Sequence, residues 1–349
     1  MSDFHSLTVS AVEQLTPNSV AISFKIPTHL KNTFSFLSGQ YITIKHTVNG
    51  AELRRAYSVS SIPTANEITV GVKKVAGGAF SIYANSEIKA GDVLEVMPPE
   101  GRFVFEPTNN AHHVAAFAAG SGITPILSIA QTVLGSHLNS TFALVFGNQN
   151  LKETMFLKDL KQLQKKYTNR FFVQYVYSKS QEEDSLFGRV DGSTVNYIVK
   201  NKFKDTSFDA FYLCGPEPMI NTVSDALQNA GIAKEKIHHE LFTSSETVDT
   251  IAEDLEGKTQ VTVVVDDETY SLDMDKKTLV LDAVLKENID APYSCQGGVC
   301  SSCIARVVEG KVEMVKNQIL TDGEIEEGLI LTCQAHPLTP TLKVDYDDV

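Results

Sequence analysis

The sequence predicts a multidomain protein: an antiparallel β-barrel, then an α/β domain with a parallel sheet, then a smaller α+β domain. Three observations support this fold class. A chain of 349 residues is too long for one ordinary hydrophobic core. Its apolar periodicity changes near residue 107, and residues 243–258 are acidic without apolar periodicity. We therefore expect domains at 1–106, 107–242 and 259–349, with an acidic linker at 243–258.

The first domain is predicted to be built from short antiparallel strands. Five segments alternate apolar and polar residues and are rich in β-branched side chains, which favours strands. They are SLTVSAVEQL, SVAISFKI, QYITIKH, RAYSVSS and EITVGVKKV. Turn-forming residues separate them, and MPPEGRFVFEPTNN ends the region. Short strands at this spacing are typical of a barrel.

The pattern changes from His113 onward to strands that alternate with helices. HVAAFAAG, FALVFGN and FFVQYVYS are typical of buried strands. GSGITPILSIAQTVLG, LKETMFLKDLKQLQKKY and EPMINTVSDALQNAG have helical periodicity. This alternation predicts a parallel sheet. Further on, TQVTVVVDDETYSLDMD predicts a β-hairpin and TLVLDAVLKEN a helix.

Composition and charge exclude several classes of function. The start, MSDFHSLTVS, lacks the basic and apolar regions of a signal peptide, and the apolar stretch 114–130 is interrupted by two glycines and a proline. We therefore expect a cytoplasmic protein with no membrane partner. A net charge of −13 argues against nucleic acid as a partner. From Ser244 onward, 22 acidic and 8 basic residues predict either simple solubility or a docking surface for a basic partner.

Four of the five cysteines have an informative spacing. Three lie within YSCQGGVCSSC, separated by four and then two residues, and the fourth follows after 29 more. This is the plant-type [2Fe–2S] spacing, whereas structural zinc, the alternative, usually takes two close pairs. Disulfides are rare in the cytoplasm. Gly297 and Gly298 suit a loop wrapped around a cluster.

Two motifs in the first domain suit a flavin nucleotide. RRAYSVSS places Arg55, Tyr57 and Ser58 on a predicted strand, where the cation suits a diphosphate and the aromatic ring can stack on an isoalloxazine. An exposed edge strand explains this motif equally well. A glycine-rich turn into a helix, formed by Gly77, Gly78 and Ser81, favours phosphate.

Two motifs in the second domain suit a nicotinamide nucleotide. In AAGSGITPI, Gly120 and Gly122 relax the turn after a buried strand, Thr124 is expected to cap the next helix, and Pro125 suits its first position. An ordinary tight turn is the alternative. FYLCGPEPMI places Cys214, Gly215 and Pro216 at a strand's carboxyl end, where α/β sheets bind ligands. A buried structural thiol is the alternative for Cys214.

The C-terminal region resembles a known family of electron carriers. With YSCQGGVCSSC as its signature and a further cysteine in LTCQA, it is similar to a plant-type ferredoxin domain of β-grasp fold. The resemblance implies a [2Fe–2S] cluster with four metal ligands. These are Cys295, Cys300, Cys303 and Cys333.

The upstream motifs, in their order, resemble the ferredoxin–NADP reductase family. The resemblance implies that Arg55 holds the FAD pyrophosphate, Tyr57 stacks on the flavin and Ser58 bonds near flavin N5. It implies that the turn at 120–124 binds the nicotinamide nucleotide's pyrophosphate and that Cys214 lies beside the nicotinamide. Catalytic roles then fall on Ser58 and Cys214. The implied cofactor-binding residues are Arg55, Tyr57, Ser58, Gly77, Gly78, Ser81, Gly120, Gly122, Thr124, Ser178, Lys179, Gly215 and Pro216.

The domain order, together with FHSLTV and GEIEEGLILTCQAHPLT, resembles the reductase components of ring-epoxidising oxygenases. The resemblance implies an NAD(P)H oxidoreductase that passes electrons from NAD(P)H through FAD and [2Fe–2S] to a separate oxygenase or other acceptor protein. FAD rather than FMN rests on the resemblance alone. Two alternatives stay open: an electron-transfer subunit without its own NAD(P)H activity, and the reductase of another acceptor such as a hybrid-cluster protein.

The nicotinamide preference depends on two segments. Gln149 in FGNQN stands where many relatives have an arginine, which weakens the case for NADPH. Ser178, Lys179 and Ser180 in YSKSQ follow a later strand, where the family binds the 2′-phosphate. We expect a slight preference for NADPH, with NADH also used.

Overall fold

The computed structural model describes residues 4–48, 50–242 and 251–349. Contacts between these residues divide them into two compact units. One unit contains the predicted barrel and α/β domains, as His5–Leu53 and Tyr57–Phe242. The other contains Phe4, Arg54–Ala56 and the C-terminal region. Residues 243–250 of the predicted linker lie outside the described residues, and Ile251–Asp254 forms a short helix.

The first sheet is antiparallel, as its alternating sequence predicts. Its strands are β1 (His5–Thr16), β2 (Ser19–Lys25), β3 (Tyr41–Val48), β4 (Ala51–Ser58), β5 (Glu67–Lys73) and β6 (Val93–Val96), in the order β4-β3-β6-β1-β2-β5. Helix α1 (Ala79–Ser86) lies between β5 and β6 in the chain. An antiparallel bridge between Val59 and Val70 joins the end of β4 to β5, which closes the sheet. Apolar side chains that include Leu7, Ile22 and Phe24 fill its interior.

The second sheet is parallel and positions the ligand-binding edge. Its strands are β7 (His113–Ala119), β8 (Thr141–Asn148), β9 (Phe171–Tyr177), β10 (Ser185–Phe187), β11 (Ala210–Gly215) and β12 (Ile237–Leu241). Its helices are α2 (Ile123–Ser136), α3 (Leu157–Lys166), α4 (Gly192–Asn196) and α5 (Glu217–Asn229). The strand order is β10-β9-β8-β7-β11-β12. Because the chain leaves β7 toward β8 on one side and later returns to β11 on the other, the switch point lies between β7 and β11.

One predicted helix begins later than its sequence pattern indicates. LKETMFLKDLKQLQKKY forms a 3₁₀ turn at Leu151–Glu153, and α3 starts only at Leu157. Phe156 has a left-handed backbone with φ of 55°. The interruption places Met155 and Phe156 in the hydrophobic core. Their burial outweighs the cost of one left-handed residue.

The C-terminal region has the α+β architecture that its sequence predicts. Following α6 (Ile251–Asp254), its strands are β13 (Lys258–Val265), β14 (Glu268–Asp275), β15 (Ile304–Glu309), β16 (Val312–Met314), β17 (Leu329–Leu331), β18 (Ala335–Pro337) and β19 (Thr341–Asp345). Its other helices are α7 (Val280–Lys286) and α8 (Asp322–Glu326). The main sheet has the order β14-β13-β19-β15-β17, and β13 and β19 are parallel. Asp266 and Asp267, both with positive φ, form the predicted hairpin turn.

The part of the chain that the structure describes contains no helix with the length and apolar composition that crossing a bilayer requires.

Candidate functional site

The four cysteines predicted to be ligands come together in the C-terminal region. Three lie in the loop between α7 and β15, and Cys333 lies in the 3₁₀ turn after β17. Both the backbone N–H and the hydroxyl of Thr332 donate to the Cys303 carbonyl, at 3.1 and 2.9 Å. These bonds hold the fourth cysteine against the loop. All four cysteines are free of disulfides.

The four thiols form one hydrogen-bonded group. Cys295 accepts hydrogen bonds from the thiols of Cys300 and Cys333, which lower its pKa. Cys333 also lowers the pKa of Cys303 by a hydrogen bond. Among the described residues, no three His, Cys, Asp or Glu side chains are arranged around a single metal ion. Cys333 thus contacts both Cys295 and Cys303, and four connected thiols are a donor set that would suit an iron–sulfur centre.

The loop backbone is shaped to enclose such a centre. The N–H of Gly297 approaches the Cys295 sulfur at 3.4 Å. Gly298 has a φ of 69°, and a Cβ there would lie 3.1 Å from the Lys316 carbonyl oxygen. Gln334 Nε2 donates to the carbonyls of Gln296 and Cys333, at 3.3 and 2.7 Å, and so joins the loop to the fourth ligand. A thiol donor set in a closely fitted loop suits [2Fe–2S].

The predicted flavin residues lie around α1 and the end of β4. The Tyr57 ring packs against Phe80 of α1, with ring centroids 5.6 Å apart. Gly78 is the N-cap of α1, so the glycine-rich turn leads into a helix. The Ser81 hydroxyl accepts from Val75 N–H and donates to the Gly78 carbonyl, both at 3.1 Å. Ser81 therefore shapes the turn at Gly77 and Gly78, whose helix N-terminus suits phosphate.

Arg55, on β4, has a half-buried side chain. Its Nη1 donates to the Arg54 carbonyl at 2.7 Å, which fixes the orientation of the guanidinium. A guanidinium carries five N–H donors, so this bond uses only part of its capacity.

Ser58 belongs to a buried polar contact that sequence reasoning missed. Its hydroxyl donates to Glu240 Oε2 at 3.2 Å. Glu240, on β12, stands directly opposite Cys214 of β11 in the parallel register. Glu240 is thus hydrogen-bonded to one residue predicted to be catalytic, Ser58, and paired by strand register with the other, Cys214. The available signal was a charged residue in ELF, next to apolar residues.

Burial controls the protonation of the Glu240 carboxyl and the Cys214 thiol. It raises the pKa of Glu240 to about 8, and the Ser58 hydrogen bond only partly offsets this. Burial also raises the pKa of the Cys214 thiol, and the Glu240 charge raises it further. Cys214 is therefore a neutral thiol near pH 7, while Glu240 is poised to change protonation close to that pH. His238 packs against Tyr212 with ring centroids 4.9 Å apart, a packing role.

The loop after β7 lies against the Cys214 backbone. A Cβ on Gly122 would come within 2.1 Å of the Cys214 carbonyl oxygen, so only glycine permits this approach. The expectation that Thr124 caps α2 is wrong. Gly120–Gly122 forms a 3₁₀ turn, Gly122 is the N-cap, and the Thr124 hydroxyl donates to the Ser121 carbonyl at 2.9 Å. Pro125 therefore occupies the first helical turn but not its first position.

A cation missed by sequence reasoning lies beside the same loop. Lys73 Nζ is 3.5 Å from the position that a Cβ of Gly120 would take. An ammonium group at a glycine-rich turn adds charge attraction for a pyrophosphate. No motif indicates this pairing, because Lys73 ends a strand of the other sheet.

A polar region lies at the carboxyl ends of β8 and β9. Lys179 Nζ donates to Gln149 Oε1 at 3.1 Å, and the Ser178 N–H donates to the Asn148 carbonyl at 3.0 Å. Within the described residues, three buried polar atoms here lack a hydrogen-bond partner: Asn148 Nδ2, Tyr175 Oη and Ser180 Oγ. Unpaired buried polar atoms are costly, so they fit a polar ligand such as a nucleotide. Gly215 and Pro216, at the end of β11 and the start of α5, lie at the same edge of the sheet.

Three family models match the chain in succession. They are an oxidoreductase FAD-binding domain at residues 6–105, an oxidoreductase NAD-binding domain at 117–225 and a 2Fe-2S iron-sulfur cluster binding domain at 254–338. The chain is 38% identical to a subunit of the 1,2-phenylacetyl-CoA epoxidase from Escherichia coli K12, over 99% of both chains. The chain belongs to the family of oxygenase reductases with flavin, nicotinamide and [2Fe–2S] domains.

Other relatives agree with this family. The 3-ketosteroid-9-alpha-monooxygenase ferredoxin reductase component of Rhodococcus rhodochrous is 34% identical, over 97% of this chain and 96% of that protein. The structure of phthalate dioxygenase reductase matches with a TM-score of 0.63 over 98% of both chains, at 20% identity, which shows the same fold. This reductase is therefore an NAD(P)H oxidoreductase whose cofactors are FAD, a nicotinamide nucleotide and [2Fe–2S].

Proposed function

We propose that this reductase passes electrons from NAD(P)H to a separate oxygenase component, that of a phenylacetyl-CoA epoxidase in phenylacetate catabolism. The observation that carries the proposal is the 38% identity to the Escherichia coli epoxidase component along 99% of both chains. We place the protein in the cytoplasm, where nicotinamide nucleotides are abundant and thiols stay reduced. Its net charge of −13 disfavours nucleic acid as a partner.

The chemistry that the bound groups supply is acceptance of two electrons as a hydride and their release one at a time. The chain's own residues bind, orient and protect these groups. Cys295, Cys300, Cys303 and Cys333 would hold the iron–sulfur centre as thiolates. Binding metal displaces the protons of these thiols.

Tyr57 and α1 form the flavin side of the proposed site, and Arg55 supplies positive charge for the pyrophosphate. Gly122 brings the nucleotide loop against β11, so that a nicotinamide bound there lies at the Cys214 end of the strand. Cys214 presents a neutral, buried thiol that excludes water without adding charge. Lys73, beside Gly120, and Lys179, held by Gln149, supply cations for the nucleotide phosphates.

Ser58 and Glu240 hold a proton at the proposed reacting edge. With its pKa raised to about 8, the Glu240 carboxyl is mostly neutral at pH 7. A neutral carboxyl adds no negative charge at the edge where a hydride would arrive. Because the Ser58 hydroxyl donates to Glu240 Oε2 at 3.2 Å, the carboxyl also fixes the orientation of that hydroxyl.

Reconstitution with purified components tests the proposal. The chain, loaded with FAD and [2Fe–2S], is mixed with NADPH, phenylacetyl-CoA and the purified oxygenase component of a phenylacetyl-CoA epoxidase. We expect substrate-dependent NADPH oxidation and formation of the epoxide. The oxygenase component of a 3-ketosteroid 9α-monooxygenase is the matched control, because its reductase is 34% identical to this chain.

The outcomes separate the alternatives. Turnover with the steroid oxygenase and none with the epoxidase would replace the proposed acceptor. Flavin that stays oxidised when the isolated chain meets NADPH and NADH would support an electron-transfer subunit without its own NAD(P)H activity.

A further inference from the structure

Helix α2 carries a row of polar side chains on a buried surface that is mainly apolar. Thr124, Ser128 and Gln131 are spaced by four and then three residues, so they lie on one face of the helix. Thr124 and Ser128 are buried, and Gln131 is half-buried. Polar side chains in such positions normally have hydrogen-bond partners, so this face requires polar groups opposite it.

The polar groups opposite this face belong to the segment that follows β4. The Ser128 hydroxyl donates to the Ser61 carbonyl at 2.6 Å, and Gln131 Nε2 donates to the Ser60 carbonyl at 3.3 Å. All four residues lie within one compact unit. Helix α2, which packs on the parallel sheet, is therefore hydrogen-bonded to the chain of the antiparallel sheet.

This segment is also held from its other side, by β5. The Ser60 N–H donates to the Thr69 carbonyl at 2.8 Å, and the Thr69 N–H donates to the Ser61 hydroxyl at 3.1 Å. Two residues further along β5, Gly71 packs so closely against α2 that a Cβ there would come within 2.8 Å of Thr124 Cγ2. The segment thus has a defined position between β5 and α2.

The two ends of this contact lead to the proposed flavin and nucleotide residues. Ser58, predicted to lie near the flavin, stands three residues before Ser61. Helix α2 begins at Ile123, directly after the Gly120–Gly122 turn proposed to bind the nucleotide pyrophosphate, and this turn lies against Cys214. Because a helix is a stiff element, a change where α2 meets the Ser61 carbonyl moves the turn relative to Ser58.

We propose that Ser128, assisted by Gln131, is a positioning residue for hydride transfer from the nicotinamide nucleotide to the flavin. In that step two electrons and a proton leave the reduced nicotinamide together and are accepted by the oxidised flavin. The rate depends steeply on the separation of the reacting atoms, whereas binding of the nucleotide depends on contacts at the turn itself. Ser128 acts through the helix. The inference rests on the cofactor assignment made in the proposed function.

The test is stopped-flow reduction of the loaded Ser128→Ala protein over a range of NADPH concentrations. Alanine keeps the helix and removes only the hydroxyl. We expect the limiting rate per bound flavin to fall about tenfold, the scale of one lost hydrogen bond, while the apparent Kd for NADPH stays unchanged. Thr132→Ala is the matched control, because the Thr132 hydroxyl donates within the helix, to the Ser128 carbonyl at 2.9 Å. Its limiting rate should equal the parent's.

A second pair of measurements separates positioning from a loss of stability. A destabilised protein binds less flavin, which leaves the rate per bound flavin unchanged. Ferricyanide takes electrons directly from reduced flavin, so it should reoxidise reduced Ser128→Ala at the parent's rate. Gln131→Met keeps the length of the side chain and removes the donor at a half-buried position. This variant should slow flavin reduction by a smaller factor, because the Gln131 bond is the longer of the two.

The failures are distinguishable. A loaded Ser128→Ala protein with the parent's limiting rate, or one in which only the apparent Kd rises, would overturn the inference and leave the proposed function intact. Equal slowing in Thr132→Ala would overturn it as well. A loaded parent whose flavin stays oxidised with both NADPH and NADH would instead overturn the proposed NAD(P)H activity itself.

Discussion

The cysteine loop and the Ser58–Glu240–Cys214 contact are built in opposite ways. The loop takes three ligands from Cys295 to Cys303, so its chemistry is local in sequence. The other contact joins β4, β11 and β12, and Ser58 and Glu240 are 182 positions apart. A metal centre needs a fixed donor spacing and leaves a readable motif, whereas a proton-holding contact needs only spatial proximity. Replacing a single cysteine disrupts the metal centre, whereas the Ser58–Glu240–Cys214 contact depends on how the strands are aligned.

The largest expected effect comes from disturbing the close approach of the nucleotide loop to Cys214. In Gly122→Ala, the new Cβ would meet the Cys214 carbonyl oxygen, so the nucleotide loop must move. We expect flavin reduction by NAD(P)H to slow about a hundredfold, since a shift of about 1 Å costs that much, while iron content stays unchanged. Stopped-flow absorbance measures the rate. Gly135→Ala is the control, because nothing lies within 4 Å of that position. Equal rates in both variants would contradict the close approach.

Glu240→Gln removes the proton-holding carboxyl and keeps its shape. At pH 7 we expect flavin reduction to slow about tenfold, the effect of weakening the one hydrogen bond that orients Ser58. In the parent the rate should fall above a pH of about 8, where the carboxylate forms and repels the hydride, and the variant should lose this inflection. Glu235→Gln, at an exposed position, should behave as the parent does. An unchanged inflection in Glu240→Gln would assign the ionisation to another group.

The Glu240 carboxyl also makes the stability of the folded protein depend on pH. Its folded pKa of about 8 exceeds the ordinary value of 4.5, so the folded state holds the proton more tightly. The contribution of the neutral carboxyl is fully present below pH 4.5 and is lost as pH rises through about 8. Thermal unfolding of the loaded protein should therefore show a smaller loss of stability between pH 6 and 9, approximately, in Glu240→Gln than in the parent. An equal loss in both proteins would refute the buried-carboxyl account.

Cys214→Ala should have a smaller effect, because the thiol fills space and holds no charge. We expect flavin reduction to slow by about tenfold or less, through looser placement of the nicotinamide, with full iron and sulfide content. Metal analysis measures the iron content, and stopped-flow absorbance on the same sample measures the rate of flavin reduction. Loss of iron in this variant would mean that Cys214 is a ligand and that the assignment of four ligands is wrong.

Lys179→Ala should have the smallest effect, on the choice of nucleotide. Lys179 is exposed and held by Gln149, so its cation adds modest attraction for a 2′-phosphate. We expect kcat/KM to fall roughly fivefold to tenfold for NADPH and to stay unchanged for NADH. Lys200→Ala is a control on a different segment. A parent enzyme whose kcat/KM is equal or higher with NADH would contradict the expected preference.

The same contrast explains what could be predicted from sequence. The periodicity of strands and helices is a local property of the sequence, and it predicted the fold. The cysteine spacing is also local, and it predicted which four cysteines come together. Glu240 and Lys73 were missed, because their partners are supplied by strand pairing and by packing between sheets. The cap assigned to Thr124 was wrong because the glycines before it already form a 3₁₀ turn. The late start of α3 followed from burial of Phe156, which periodicity alone does not report.

The central claim is that electrons pass from NAD(P)H through flavin and the iron–sulfur centre to an acceptor, in that order. Cys300→Ala tests it most directly, because three thiolates should not hold the centre while the flavin and nicotinamide residues are untouched. Ferricyanide accepts electrons directly from reduced flavin, whereas cytochrome c should depend on the iron–sulfur centre. We expect the iron-free variant to keep its flavin, to retain NAD(P)H–ferricyanide activity near the parent's, and to lose cytochrome c reduction. Undiminished cytochrome c reduction in verified iron-free protein would contradict the account.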